Sequence, residues 1–155
     1  MRTWAPRGQT PVLQYHFGWT TISAIAGITW RSFYFRLHRG AIRTRQVIEF
    51  LLQLMRHVPG KLLIVWDRLG VHRSAMVREF VEATEGRITL EFLPAYAPEL
   101  NVVEYIWAYW KQHELPNLCP DDLCQLSGEA RRALRRMRRR PKLIRSFWKQ
   151  TPLPF

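Results

Sequence analysis

Residues 62–67, Leu62-Leu63-Ile64-Val65-Trp66-Asp67, together with residues 93–104, Leu93-Pro94-Ala95-Tyr96-Ala97-Pro98-Glu99-Leu100-Asn101-Val102-Val103-Glu104, decide how this chain is read. The first is a short apolar run that ends on a carboxylate. Its length and β-branched content favour a buried strand from Lys61 to Trp66 over a turn of helix. The second closes an alternating stretch, Ile88 to Leu93, that reads as another strand. Two prolines and a tyrosine then carry the chain into a rigid turn, and Asn101 starts a helix that places Glu104 in its first turn. Asp67 and Glu104 each stand where the edge of an α/β sheet presents chemistry.

The surrounding pattern alternates strands and helices. Thr20 to Ile28 and Ser32 to Leu37 are rich in β-branched and aromatic residues and read as a hairpin turning at Thr29-Trp30-Arg31. Thr44 is placed to cap a helix whose apolar face is Val47, Ile48, Leu51, Leu52, Met55 and Val58, ended by Pro59-Gly60. Ser74 caps the next, with Val77, Phe80 and Val81 inward and Gly86 at its end. From Asn101 to about His113, Val103, Ile106, Trp107 and Trp110 face the core. A further helix starts at Asp121 or Asp122, with Leu123, Leu126, Ala130, Ala133, Leu134 and Met137 at helical spacing until Pro141 stops it. Leu143, Ile144, Phe147 and Trp148 then fold back on the core. The domain reading is residues 1–115 as a catalytic unit and 116–155 as a basic helical extension packed on it.

Composition narrows the class. A chain of 155 residues with 47% hydrophobic content supports one sizeable core. No apolar run approaches the ~20 residues that span a bilayer, so a membrane partner is not expected. The N-terminus carries Arg2, Pro6, Arg7 and Gly8 and no signal-peptide core. Cys119 and Cys124 lack paired histidines, which argues against zinc and for reduced thiols. The net charge of +12 is uneven. Residues 131–149 hold Arg131, Arg132, Arg135, Arg136, Arg138, Arg139, Arg140, Lys142, Arg145 and Lys149 and no acid, whereas charges elsewhere nearly cancel. Such a stripe is the electrostatic footprint of a polyanion partner such as DNA, or else a solvated helix face or nonspecific basic tail.

The segment Pro98-Glu99-Leu100-Asn101-x-x-Glu104-x-x-Trp107, with Asp67 ending the strand before it, resembles the catalytic domain of IS630-type transposases of the Tc1/mariner superfamily. The resemblance runs from Arg2-Thr3-Trp4-Ala5-Pro6-Arg7-Gly8 to the arginine-rich end. It implies an α/β fold of the RNase H-like kind, a mixed sheet flanked by helices, with a basic C-terminal helical extension. It also implies a triad of acids binding two Mg²⁺ or Mn²⁺ ions for DNA cleavage and strand transfer, with Asp67 and Glu104 as catalytic metal ligands. His72 and Asn101 become supporting residues at that site. Arg131, Arg132, Arg135, Arg136, Arg138, Arg139, Arg140 and Lys142 become DNA contacts. Bacterial cytoplasm, at the nucleoid, is the implied location.

The first acid of the family triad lies on a strand upstream of Trp4, and here no aspartate precedes Asp67. Glu49 is the one acid before it, and helical spacing makes it a solvent-facing residue. The expected fold therefore lacks its first strand. The chain is expected to be inactive alone, to need a missing N-terminal transposase segment as partner, and to aggregate or form homo-oligomers in isolation. The alternative function is a non-catalytic DNA-binding fragment or inhibitor of transposition; a third is a decayed relic. Asp67 has the alternative role of capping its turn or pairing with Arg68 or Arg73. Glu104 has that of closing a capping box with Asn101. Tyr96 stands in the turn as a further candidate for DNA contact, and Arg68 replaces the Asn that many relatives carry after the second acid.

Overall fold

The computed structural model describes residues 7–8, 21–116 and 118–152. Thr20, read as the start of the first strand, and residues 2–6 of the N-terminal motif lie outside them. The elements are strands β1 (Ile22–Ile28) and β2 (Phe33–Arg39), helix α1 (Thr44–His57), strand β3 (Leu62–Trp66), helix α2 (Ala75–Glu82), strand β4 (Ile88–Phe92), and helices α3 (Val102–Tyr109), α4 (Leu123–Arg138) and α5 (Pro141–Gln150). Thr29 closes the β1–β2 turn: its N–H donates to the Ser32 carbonyl at 2.7 Å, and its Oγ1 accepts from the Ser32 N–H at 3.1 Å. The hairpin is antiparallel, with Ile22 opposite Arg39 and Ile28 opposite Phe33. β3 and β4 pair parallel, Leu62 beside Ile88 and Trp66 beside Phe92. The result is two separate two-stranded sheets, and the second edges of β1 and β3 have no strand partner among the described residues.

Side-chain alternation sorts these ladders into layers. Val47, Phe50, Leu51 and Leu54 of α1 form a buried cluster with Val77 and Ile88. Against it pack Ile25 and Tyr34 from the first ladder and Leu62, Ile64, Trp66 and Leu90 from the second. One helix face thus lies across both sheets. Arg87 fastens its far end, donating to the carbonyls of Met55 and Val58 at 3.0 and 2.9 Å, which satisfies acceptors that the last turn leaves open. The opposite face of the hairpin presents Ile28, Phe33, Phe35 and Leu37 to Val102, Ile106, Leu134, Met137, Ile144 and Phe147 of α3, α4 and α5. On β3 that same side is bare: Leu63 is 65% and Val65 53% exposed.

Several local expectations are corrected. Arg43, not Thr44, is the N-cap of α1, and the Arg43 N–H donates to Gln46 Oε1 at 3.0 Å; this places the first turn one residue earlier than the threonine suggests. Leu52 lies toward solvent at 38% exposure, since the buried arc is filled by Val47, Phe50, Leu51 and Leu54. Val102 takes the core position expected of Val103, because Ile106 four residues on is the fully buried member of that face. The helix from Asn101 does not continue regularly to His113; it passes into a π-type turn over Trp110–Glu114. Pro141 stops α4 by opening α5 as its first residue, where its missing N–H costs nothing. Glu49 is only half-exposed and bridges Arg36 of β2 and Arg45, both at 3.3 Å. Trp107 and Trp110 pack against the core, as do Leu143 and Trp148 of the closing segment.

The adjacent leucines of α1 give a test of this register. Leu51→Ala should cost about 2–5 kcal/mol in urea unfolding, and Leu52→Ala about 1 kcal/mol or less. Equal losses would contradict the assigned helix face.

Candidate active site

Parallel pairing sends β3 and β4 out of the sheet at the same edge. The ladder runs one residue past β4, with the Leu93 N–H donating to the Trp66 carbonyl at 2.8 Å. Asp67 and the Leu93–Pro98 turn therefore leave the sheet side by side. The side chain of Arg68 fixes the spacing, its Nε donating to the Leu93 carbonyl at 3.0 Å. Pro94 and Pro98 stiffen the turn, and Tyr96 at its tip holds a left-handed backbone, φ 58°, with its side chain fully in solvent. Non-glycine residues persist there only when their surroundings over-determine them. The turn ends in a short 3₁₀ segment, Pro98–Leu100, that delivers Asn101 to the start of α3.

Asn101 is the N-cap, its Oδ1 accepting from the Val103 N–H at 3.2 Å. Its own N–H donates to the Pro98 carbonyl at 3.0 Å. The donor that a capping-box glutamate would claim is therefore taken, and the capping reading of Glu104 is not realised. Glu104 is exposed, and its carboxylate has no hydrogen-bond or ion-pair partner among the described residues. Asp67 differs. Its Oδ1 accepts from the Leu69 N–H at 3.1 Å and faces His72 Nδ1 at 2.8 Å, while Arg68 is turned away to Leu93. The His72 ring lies flat on Trp66, 4.4 Å between centroids and 1° between planes, so the imidazole is held from two sides. The turn-capping role expected for Asp67 is present, and it uses one oxygen only.

Asp67, Arg68, Leu69, Arg73, the Leu93–Pro98 turn, Asn101 and Glu104 line a single cleft. Four predicted positions are thus brought to one place: Asp67, Asn101 and Glu104 in the wall, and His72 behind Asp67. The arginines of α4 and Lys142 are not in this wall. Two contributors went unread in the sequence. The Arg68 tether had its signal in the departure from Asn at that position, and the His72–Trp66 stack had none beyond the nearness of two aromatic rings in the chain. Carboxylate oxygens are the hard donors that Mg²⁺ or Mn²⁺ requires. In kind the pair fits; in number it falls short, as no group of three His, Cys, Asp or Glu able to hold a metal occurs among the described residues.

Two parallel strands thus end at one cleft that carries an aspartate and a glutamate. The model of the DDE superfamily endonucleases matches residues 1–126, and the chain belongs to that family. Among solved structures it is similar to the Mos1 transposase catalytic domain, determined with raltegravir and magnesium, at TM-score 0.55 and 15% identity over 88% of this chain and 78% of that one. It is also similar to Mos1 transposase in a paired-end complex with the left transposon end, at TM-score 0.58 and 15% identity, covering 98% of this chain and 51% of that one. Identity this low speaks for the fold, which is the mixed α/β, RNase H-like architecture of that catalytic domain. No curated protein matches the sequence.

Asn101→Ala should lower stability by about 0.5–2 kcal/mol through loss of the cap, with Asn101→Asp restoring most of it. Urea denaturation of the two variants checks this; equal losses would show that the side chain does not cap α3.

Proposed function

We propose that this chain supplies two acids of a DDE transposase site, Asp67 and Glu104, for metal-dependent cleavage and strand transfer of DNA, as the IS630-type resemblance implies. The observation that carries the reading is Glu104: its carboxylate stands without a partner among the described residues in the cleft that holds Asp67, where a purely structural glutamate would have closed a cap. When bound, Mg²⁺ or Mn²⁺ would supply the activation of a water or 3′-hydroxyl and the stabilisation of the leaving oxygen. Asp67 would hold such an ion with its free Oδ2, its Oδ1 being fixed by Leu69 and His72. Glu104 would offer its carboxylate within the same cleft. His72 keeps the Asp67 carboxylate from rotating, and Asn101 holds the helix start that aims Glu104. Arg68 and Arg73 place positive charge on the rim that an incoming phosphodiester would cross.

The third acid is expected on a strand between β1 and β3. Both have an open edge among the described residues, α1 already lies across both ladders, and Leu63 and Val65 await cover on the α3 side. A strand there would join two small sheets into one and satisfy their edge groups. On this reading the segment bearing that strand is the partner the chain needs for activity, DNA at transposon ends is the substrate, and the bacterial nucleoid is where it acts. A second reading, a DNA-binding chain without catalysis, is favoured by the cationic surface of α4 and α5.

The experiment is Mg²⁺-dependent nicking of element-end DNA by the chain combined with the transposase segment that precedes Trp4 in relatives. Activity should appear only in the combination and fall to background with Asp67→Asn or Glu104→Gln. Nicking that survives either substitution would refute the assignment. Salt-sensitive binding without nicking in any combination would favour the second reading.

A further inference from the structure

Every charged side chain from residue 131 to 149 is basic, yet the structure does not treat them alike. The buried stripe of α4, Ala130, Ala133, Leu134 and Met137, separates two flanks. On one, Arg132, Arg136 and Arg140 recur every fourth residue, and each has an acid. Arg132 is paired with Glu129, one turn back, and this hydrogen bond holds the Glu129 carboxyl below its usual range. Arg136 reaches Glu114 Oε2 at 2.9 Å, and Arg140 reaches Glu114 Oε1 at 3.4 Å and the Tyr109 hydroxyl at 3.1 Å. Glu114 is only 10% exposed and sits in the π-type turn that ends α3. This flank is therefore a brace between α4 and the helix that carries Glu104.

The other flank differs. Arg131, Arg135 and Arg139 also recur every fourth residue, are exposed, and have no acidic partner among the described residues. Arg138 beside them lies over the Phe35 ring, 5.9 Å from its centroid. Past the Arg140–Pro141 corner, Lys142, Arg145 and Lys149 of α5 repeat the arrangement, spaced three and four residues apart on the face opposite buried Ile144 and Phe147. Residues at these spacings project from one side of a helix. Each row is thus a short line of cations, unneutralised among the described residues, along a helix.

We infer that Arg131, Arg135, Arg139, Lys142, Arg145 and Lys149 form the surface that holds the phosphate backbone of duplex DNA, and that Arg132, Arg136 and Arg140 belong to the protein's own packing. The inference rests on the reading that this chain binds DNA. A cation already satisfied by a carboxylate neutralises no phosphate and displaces none of the counterions condensed on DNA, whereas each free one that contacts a phosphate does. The two sets thus differ in salt dependence although they differ little in sequence.

The test is anisotropy of a labelled duplex with the full chain over a series of KCl concentrations, comparing neighbours of equal charge. Arg131→Gln and Arg135→Gln should each flatten the slope of log K against log salt by about 0.9, and Arg131, Arg135 and Arg139 changed together by about 2.7. Arg132→Gln and Arg136→Gln remove the same charge and should leave the slope within experimental error, while Arg136→Gln lowers the melting temperature. The single substitutions lie at exposed helix positions, so circular dichroism should show both sets folded. If both sets flatten the slope equally, the charge acts diffusely and the division is wrong. If the unaltered chain shows no salt-dependent binding, the DNA reading of these helices fails and the proposal fails with it. The assignment of Asp67 and Glu104 stands or falls separately, by nicking.

Discussion

Everything at the candidate site depends on the parallel register of β3 and β4. Because Trp66 lies beside Phe92 and the Leu93 N–H extends the ladder to the Trp66 carbonyl, both strands end at one edge and point the same way. An antiparallel pairing would have sent Asp67 and the Pro94–Pro98 turn to opposite ends of the sheet. With the parallel one, an acid at the end of β3 and an acid thirty-odd residues later in the chain face the same cleft with no further adjustment. The connection through α2 is what this pairing requires, since parallel strands need a crossover rather than a hairpin.

Around that register the molecule spends its polar interactions on positioning. Arg68 gives its Nε to a backbone carbonyl, which ties the two strand exits together and leaves Asp67 unpaired with arginine. His72, clamped on Trp66, occupies one oxygen of Asp67 and leaves the other. Asn101 caps α3 through its side chain and closes the preceding 3₁₀ segment with its N–H to Pro98, so Glu104 has no capping role among the described residues. At the far end of the same helix, Glu114 receives Arg136 and Arg140 and fixes α3 to α4. A helix anchored at both ends holds a carboxylate in place better than one packed only along its side, because terminal turns are where helices fray.

Much of this is legible in the sequence. The apolar run closing on Asp67, the alternation of Ile88 to Leu93 and the proline-flanked turn into Asn101 each carry a local physical signal, and all three elements form where their residues place them. The helix of residues 123–138 was equally plain, since its apolar stripe has the helical period. What failed did so for identifiable reasons. Val102 and Val103 are both apolar, so spacing alone did not choose between them; packing against Ile106 did. Thr44 is a good cap residue by type, but Gln46 served Arg43 instead. The division of the α4 arginines was only partly visible: Glu129 stands three residues before Arg132, but Arg136 and Arg140 pair with Glu114, which is distant in the chain and reaches them only once α3 has turned through its π-type end. The Arg68 tether is likewise long-range, a side chain spanning to Leu93.

The central proposal is that Asp67 and Glu104 both hold divalent cations in one cleft. Paramagnetic broadening by Mn²⁺ in heteronuclear spectra of the labelled chain addresses it without any need for cleavage. The account predicts weak, saturable broadening centred on amides around Asp67, Leu69, Tyr96 and Glu104, abolished by either Asp67→Asn or Glu104→Gln and competed by Mg²⁺. Broadening that persists unchanged in either variant, or that centres on other acids such as Glu79 and Glu82 of α2, would contradict it.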